Sequence, residues 1–107
     1  MFVNDCLNIN EKGHLTIGGC DTVELAKEYG TPLYVLDENT IRTTCRSYVE
    51  SFKKFYNGNG MPLYASKALS CKELCRIANE EHLGLDVVSG GEIYTAQQAG
   101  FPMEKTH

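Results

Sequence analysis

The clearest pattern along the chain is a run of apolar residues spaced for one face of a helix over residues 40–56. Apolar side chains recur there at steps of three and four, which is the period of an amphipathic helix packed on a core. Charged side chains occupy the other face: Arg42, Arg46, Glu50 and Lys53. Residues 57–60 are Asn-Gly-Asn-Gly, and these residue types tolerate the positive φ that ends helices. The pattern predicts one long helix that ends before residue 57.

Two short apolar runs, residues 62–66 and 85–88, have the length of buried strands. Each is followed by a segment with the spacing of a capping box, residues 70–73 after the first run and 89–92 after the second. A serine at the N-cap and a glutamate three residues later predict that a helix begins at each segment. The order strand, helix, strand, helix predicts an α/β fold with parallel strands and right-handed crossovers.

The first third of the chain carries weaker signals. Residues 14–17 predict a short strand that ends at a Gly pair. Asp21, with a glutamate three residues later, predicts the start of a short helix with Tyr29 on its inward face and Gly30 at its end. Residues 33–36 are an apolar run of strand length. We therefore expect a strand, a short helix and a second strand before the long helix.

Composition narrows the classes of function. The chain has 107 residues, 42% of them apolar, and a net charge of −4, which is ordinary for a globular protein. Lysines and arginines are scattered rather than clustered, so we expect no nucleic-acid surface. No apolar run approaches the roughly 18 residues of a spanning helix, and the N-terminus lacks the basic start of a signal peptide. We expect a cytoplasmic protein that does not bind membranes.

The five cysteines fit a reducing compartment, because an odd number without paired spacing is a poor disulfide framework. Cys71 and Cys75 lie four residues apart and could share a helix face. A metal site would need further ligands, and the histidines are distant in the sequence. We therefore expect free thiols and no metal.

Lys67 is the strongest candidate for chemistry. It directly follows the first predicted strand and precedes a predicted helix, and in parallel β/α proteins that junction is the edge where ligands bind. A lysine amine there can form a Schiff base with a carbonyl group. A solvated loop lysine is the common alternative, and the local pattern alone favours it.

A second polar cluster follows the second predicted strand. Asp86 interrupts an apolar run and needs a partner, which is either an amine or cofactor or a structural hydrogen bond. Gly90 and Gly91 stand at a helix start, where backbone amides can bind an anion. Capping by Ser89 and Glu92 explains the same stretch, and we favour capping because a Gly pair is a weak phosphate signal.

Four segments, in order and spacing, resemble the diaminopimelate decarboxylase branch of the fold-type III pyridoxal-phosphate enzymes. They are Gly-Thr-Pro-Leu-Tyr-Val-Leu-Asp-Glu at 30–38, Tyr-Ala-Ser-Lys-Ala at 64–68, Leu-Asp-Val-Val-Ser-Gly-Gly-Glu at 85–92, and Ala-Gly-Phe-Pro at 99–102. Ornithine-type decarboxylases usually carry Cys-Ala-Ser where residues 89–91 are Ser-Gly-Gly, and alanine racemases have a differently built lysine segment. The resemblance therefore favours the diaminopimelate branch.

The resemblance implies that Lys67 binds pyridoxal 5'-phosphate covalently, and that Ala65 and Asp86 contribute to cofactor binding. It implies decarboxylation of meso-diaminopimelate to L-lysine and carbon dioxide, with a small amino acid as substrate and a homodimer as the active form. Two alternatives stay open. One is another fold-type III decarboxylase of the ornithine, arginine or carboxynorspermidine type, and the other is a non-catalytic decarboxylase-like binding protein.

The resemblance also implies the N-terminal part of a (β/α)8 TIM-like barrel of the alanine racemase-like type. Residues 1–36 would be a strand and helix leading into the barrel, with the strand belonging to an absent β domain, and residues 37–107 would be the first βα units. A complete barrel has about 250 residues, and the family's phosphate loop and substrate-reading segments do not occur within these 107. We therefore expect a truncated chain in which the outer edge of the second predicted strand, residues 85–88, has no neighbour, and which is inactive alone and self-associates.

Overall fold

The computed structural model describes residues 4–107. The described residues up to Ile41 form one compact unit, and Arg42–His107 form a second. The domain boundary expected after residue 36 stays a prediction.

Three short antiparallel strands build the sheet of the first unit in the order β1-β2-β3. They are Leu7–Ile9 (β1), Leu15–Ile17 (β2) and Cys20–Asp21 (β3). Helix α1 follows at once over Thr22–Tyr29. The strand at β2 and the helix were predicted, whereas β1 and β3 were missed because two- and three-residue strands carry too little periodicity to be seen in sequence.

Asp21 caps α1 as predicted. Its carboxylate accepts hydrogen bonds from the amides of Val23 (2.8 Å) and Glu24 (3.3 Å). The Asn10 amide nitrogen lies 2.8 Å from the same carboxylate, and the His14 Nδ1 lies 2.9 Å from it. Burial raises the pKa of Asp21, but these hydrogen bonds outweigh burial and hold the pKa well below its ordinary range.

Two expectations for the first unit were wrong. Tyr29 does not face inward, because its side chain is 66% exposed and α1 has no buried residue. Residues 33–36 form no strand, and Tyr34 in their middle is 98% exposed. No strand described within residues 4–107 pairs with this run, and an extended segment without a hydrogen-bonded neighbour is not a strand. The helix end at Gly30 is confirmed by its φ of 80°.

The long helix α2 runs over Glu38–Tyr56, which confirms the predicted helix, although none of its residues is buried among the described residues. It begins two residues before the predicted start because Asp37 supplies the cap, with its carboxylate accepting from the Thr40 amide at 3.0 Å. The helix ends where Asn57 and Gly58 adopt φ values of 52° and 76°.

The second unit has the predicted alternation of strands and helices. Its elements are Leu63–Ala65 (β4), a 3₁₀ turn over Ser66–Ala68, Lys72–Glu80 (α3), Gly84–Asp86 (β5) and Gly90–Gln98 (α4). Strands β4 and β5 are parallel, which confirms the predicted α/β class. A parallel pair requires the crossover that α3 provides.

A third chain segment adds to the free edge of β5. Thr106 makes a parallel bridge to Leu85, and His107 both donates to the Leu85 carbonyl and accepts from the Val87 amide at 2.9 Å. We had expected this outer edge of the second strand to lack a neighbour, and that was wrong. The spacing of apolar residues did not predict this pairing, because two residues are too few to show a period.

The core of the second unit lies between the strands and helices α3 and α4. Its buried members are Cys75, Ala78, Leu83, Leu85, Ala96 and Phe101. Leu85 on β5 is fully buried at 0% exposure. Its neighbour Gly84 must be glycine, because a Cβ there would lie 2.8 Å from the Lys105 carbonyl oxygen.

The two predicted helix caps of this unit had different outcomes. Ser89 caps α4, with its Oγ accepting from the Glu92 amide at 3.2 Å. Ser70 does not cap α3, because the helix begins one residue later with Cys71 at the N-cap and no side-chain cap. The serine and glutamate spacing was present, but residues 66–68 form a 3₁₀ turn and the α-helix begins only at Lys72.

The described cysteines are free thiols that range from the exposed Cys20 to the buried Cys75. Within residues 4–107, no three histidine, cysteine, aspartate or glutamate side chains gather as a metal site. None of the helices described over the same residues is long and apolar enough to cross a membrane.

Candidate functional site

The carboxyl ends of the two parallel strands bring predicted site residues together. Ala65 is the last residue of β4, Asp86 is the last residue of β5, and the two are register partners. Both side chains are half-buried. The carboxyl end of a parallel sheet is where ligand and catalytic groups gather.

Lys67 lies two residues beyond the end of β4, in the 3₁₀ turn Ser66–Ala68. The turn buries Ser66, which is 1% exposed, and leaves the next side chain, that of Lys67, exposed to solvent. The lysine amine is therefore accessible from the strand ends, while the backbone on its N-terminal side is anchored in the core.

Asp86 has no hydrogen bond or ion pair of its side chain with any of residues 4–107. Its backbone carbonyl, in contrast, lies 3.0 Å from the Ser66 hydroxyl. Solvent reaches the Asp86 carboxylate oxygens, because no fully buried side-chain oxygen among the described residues lacks a hydrogen-bond partner. The sequence left two explanations for Asp86: a partner amine or cofactor, or a structural hydrogen bond. The described residues supply no such hydrogen bond to its side chain.

Glu92 is a buried member of the site that was assigned only a capping role from sequence. It is 8% exposed, and its carboxylate accepts from the Ser66 hydroxyl at 2.6 Å and from the Ser89 hydroxyl at 2.8 Å. The capping-box spacing did identify Glu92, but nothing in that spacing predicts the contact with Ser66, which is 26 residues distant.

Hydrogen bonding keeps the Glu92 carboxylate ionised. The hydroxyls of Ser66 and Ser89 lower its pKa, burial acts in the opposite direction, and the Val88 amide and the positive charge of Lys67 lower it further. The strand ends therefore carry a buried anion close enough to Lys67 to interact with its charge.

The glycines at the start of α4 are not explained by packing. A Cβ built on Gly90 has no heavy atom within 4 Å, and one built on Gly91 reaches only the Ser89 hydroxyl at 3.9 Å. Gly90 and Gly91 therefore border open space at the start of α4, shortly after the carboxyl end of β5. Capping by Ser89 accounts for the helix start but not for the glycines.

This arrangement defines a class of protein: an α/β protein with an exposed lysine amine and carboxylates at the carboxyl ends of parallel strands. The family comparison makes the class specific, because residues 38–107 match the family described as pyridoxal-dependent decarboxylase, pyridoxal binding domain. The chain belongs to the family of pyridoxal-dependent decarboxylases.

Individual relatives are similar over the whole chain. The diaminopimelate decarboxylases of Bacillus methanolicus and Bacillus subtilis are 50% and 48% identical to it over all 107 residues. Among solved structures, the diaminopimelate decarboxylase of M. jannaschii in co-complex with L-lysine covers 99% of the chain with a TM-score of 0.84 and 38% identity.

The match covers only part of those proteins. The chain spans 24% of the length of each of the two Bacillus relatives and 25% of the M. jannaschii chain. It corresponds to the part of the family that contains the pyridoxal binding domain.

Proposed function

We propose that Lys67 anchors pyridoxal 5'-phosphate, and that the protein containing this chain decarboxylates meso-diaminopimelate to L-lysine and carbon dioxide. One observation supports this proposal above the others. Lys67 lies two residues beyond the end of β4, close in sequence to the register pair of Ala65 and Asp86 at the edge where parallel β/α proteins bind ligands. The identities of about one half to the Bacillus diaminopimelate decarboxylases favour this substrate.

The residues present fit the cofactor. Lys67 offers an exposed amine for a covalent bond to an aldehyde. Asp86 offers a carboxylate without a partner among residues 4–107, and a cationic or hydrogen-donating group of a ligand would satisfy it. Open space next to Gly90, at the start of the helix that follows β5, leaves room for a ligand at the carboxyl ends of the strands. Ala65 adds a small side chain at the same edge, where a larger one would narrow the approach.

The roles of the chain's own residues follow from these positions. When bound, pyridoxal phosphate supplies the sink for the electrons released with the carboxylate. Lys67 would hold the cofactor, give way to the amine of the substrate and return when the product leaves. Its freed amine could then carry a proton at the strand edge. Asp86 would orient the bound cofactor by accepting a hydrogen bond.

The rest of the architecture extends the same proposal. Strands β4 and β5, with Thr106 beginning a third parallel segment, would be the first strands of a (β/α)8 barrel. The 107 residues would then be the N-terminal part of a longer, homodimeric enzyme, with the N-terminal strands belonging to its β domain. The chain spans only 24% of the length of the Bacillus methanolicus relative, and this supports the proposal that it is part of a longer protein.

The test is to identify the residue that binds the cofactor in the protein produced from its complete gene. After incubation with pyridoxal phosphate and reduction with borohydride, peptide mass mapping should place the label on Lys67. A label on Lys72 or Lys105 would contradict the assignment. Carbon dioxide release should be fastest with meso-diaminopimelate, whereas faster release from ornithine, arginine or carboxynorspermidine would assign another branch. Cofactor binding without release would indicate a non-catalytic binding protein.

A further inference from the structure

The contact between Ser66 and Glu92 joins the two helical turns that flank the candidate site. Ser66 is 1% exposed, Glu92 is 8% exposed, and their oxygens lie 2.6 Å apart. Ser66 opens the turn that carries Lys67, and Glu92 lies in the first turn of α4. A hydrogen bond between a hydroxyl and an ionised carboxylate is short and about twice as strong as a neutral one.

The buried hydroxyl of Ser66 requires an explanation of its own. Packing alone does not require it, because alanine would occupy nearly the same volume without a polar group to satisfy. The Ser66 hydroxyl has one proton and two acceptors within reach, the Glu92 carboxylate at 2.6 Å and the Asp86 carbonyl at 3.0 Å. Serine at this position therefore ties the turn of Lys67 to both α4 and the end of β5.

Capping of α4 does not require this contact. Ser89 already accepts from the Glu92 amide and donates to the Glu92 Oε2 at 2.8 Å, which completes the local cap. The other carboxylate oxygen, Oε1, is left for Ser66. The two oxygens thus have separate partners, one local and one at the strand end that leads to Lys67.

We propose that Glu92 is a positioning residue for Lys67, and that it acts by holding Ser66 and the 3₁₀ turn Ser66–Ala68 against the start of α4. The proposal rests on the proposed role of Lys67 as cofactor anchor. Glu92 touches neither substrate nor cofactor in this scheme. It restricts where the amine two residues beyond β4 can lie, and fixed geometry of that kind speeds reaction with a bound partner.

Hydrogen exchange of backbone amides tests the positioning without any cofactor. In the cofactor-free protein produced from its complete gene, Ser66→Ala and Glu92→Asp should speed exchange in residues 66–68 about tenfold relative to α3, which corresponds to loss of one hydrogen bond. Glu92→Asp keeps the charge but is one methylene too short to reach Ser66. Glu92→Gln keeps the length and an acceptor oxygen, so it should have a smaller effect than Glu92→Asp.

Two comparison variants separate positioning from general destabilisation. Glu81→Gln removes another carboxylate that is 8% exposed and hydrogen-bonded, but Glu81 lies beyond the far end of α3. It should leave exchange at residues 66–68 unchanged relative to α1, which lies in the other unit. Ser89→Ala should speed exchange in the first turn of α4 more than in residues 66–68.

The rate at which pyridoxal phosphate becomes reducible onto Lys67 gives the second readout. Ser66→Ala and Glu92→Asp should each slow this rate about tenfold, and the double variant should be no slower than the worse single one, because both remove the same contact. Unchanged exchange at residues 66–68 in Ser66→Ala, or equal effects of Glu81→Gln, would overturn the proposal. If Lys67 takes no label in the unmodified protein, the proposed function fails, while the exchange data still decide the role of Glu92.

Discussion

Arg46 and Glu81 form a two-point ion pair between α2 and the end of α3. The Arg46 Nε lies 2.7 Å from Glu81 Oε1, and a second guanidinium nitrogen lies 3.0 Å from Oε2. Arg42, one helical turn earlier, donates to the same Oε2 at 3.0 Å. Glu81 is 8% exposed, so one nearly buried carboxylate joins two arginines of the long helix. This contact explains why two basic residues on the polar face of α2 are spaced four apart.

Replacement of this carboxylate should lower stability. Glu81→Gln leaves two arginines facing a neutral amide, and removal of the buried partner from a partly buried ion pair is costly. We expect a clear fall in the urea midpoint of the protein produced from its complete gene. The matched control is Glu50→Gln, which removes an exposed pair with Lys53 at 3.4 Å and should have little effect. Equal shifts for the two variants would contradict the structural role of Glu81.

The same carboxylate should make stability depend on pH in acid. Hydrogen bonds from Arg46 and Arg42 lower the pKa of Glu81 below its ordinary value of 4.5. A carboxylate with a lowered pKa in the folded state stabilises the fold above its ordinary pKa, and this contribution is lost as the pH falls through the lower value. The free energy of unfolding in urea, measured from neutral pH to below 4.5, should therefore fall more steeply with decreasing pH in the unmodified protein than in Glu81→Gln. Parallel curves would show that Glu81 has the same pKa folded and unfolded.

Capping should distinguish two serines that look alike in sequence. Ser89→Ala removes the side chain that caps α4 and should cost about 1 kcal/mol of unfolding free energy. Ser70→Ala should leave stability unchanged, because the N-cap of α3 is Cys71 and has no side-chain hydrogen bond. Chemical denaturation of both variants checks the contrast. A loss in Ser70→Ala as large as in Ser89→Ala would show that α3 begins at Ser70.

Asp86 should matter more for activity than for folding. Its side chain has no partner among residues 4–107, so Asp86→Asn removes no described contact, but it removes the negative charge offered to the ligand. We expect turnover to fall at least about tenfold, in line with loss of one electrostatic contact at a site, with the urea midpoint unchanged. Asp5→Asn, an exposed position in the other unit, is the control. A lowered midpoint with normal turnover would make Asp86 structural.

The sequence predicted those features that depend on local chemistry. The period of α2, the cap at Ser89 and the parallel order of β4 and β5 all follow from neighbouring residues, and the structure confirms them. Contacts between residues far apart in sequence were not predictable, because no local pattern records them. The bond from Ser66 to Glu92 is the clearest case. The strand predicted over residues 33–36 was wrong because a local pattern was trusted without a partner. An apolar run forms a strand only where a neighbouring strand pairs with it.

Association of the isolated 107-residue chain should occur through β4 rather than β5. Strand β5 has β4 on one side and the bridge from Thr106 on the other, whereas β4 has only β5 among residues 4–107. Unpaired strand edges recruit other chains. Leu63 on β4 is 41% exposed and adds an apolar side chain at that edge. We expect the chain to form dimers or larger species in size-exclusion chromatography with light scattering, and to release no carbon dioxide from diaminopimelate.

A single charged side chain placed on β4 tests whether the free edge of this strand causes the association. Leu63→Lys places a lysine on β4, a substitution that blocks edge pairing, while the lysine stem can still cover Gly84 as leucine does. This variant should shift the chain towards monomer. Tyr94→Lys changes a side chain that is more exposed, at 63%, but belongs to α4 rather than to β4, so it should leave association unchanged. If both variants dissolve the oligomer equally, exposed apolar area in general drives association. If neither does, or if the unmodified chain is a monomer, the free edge of β4 is not an association site.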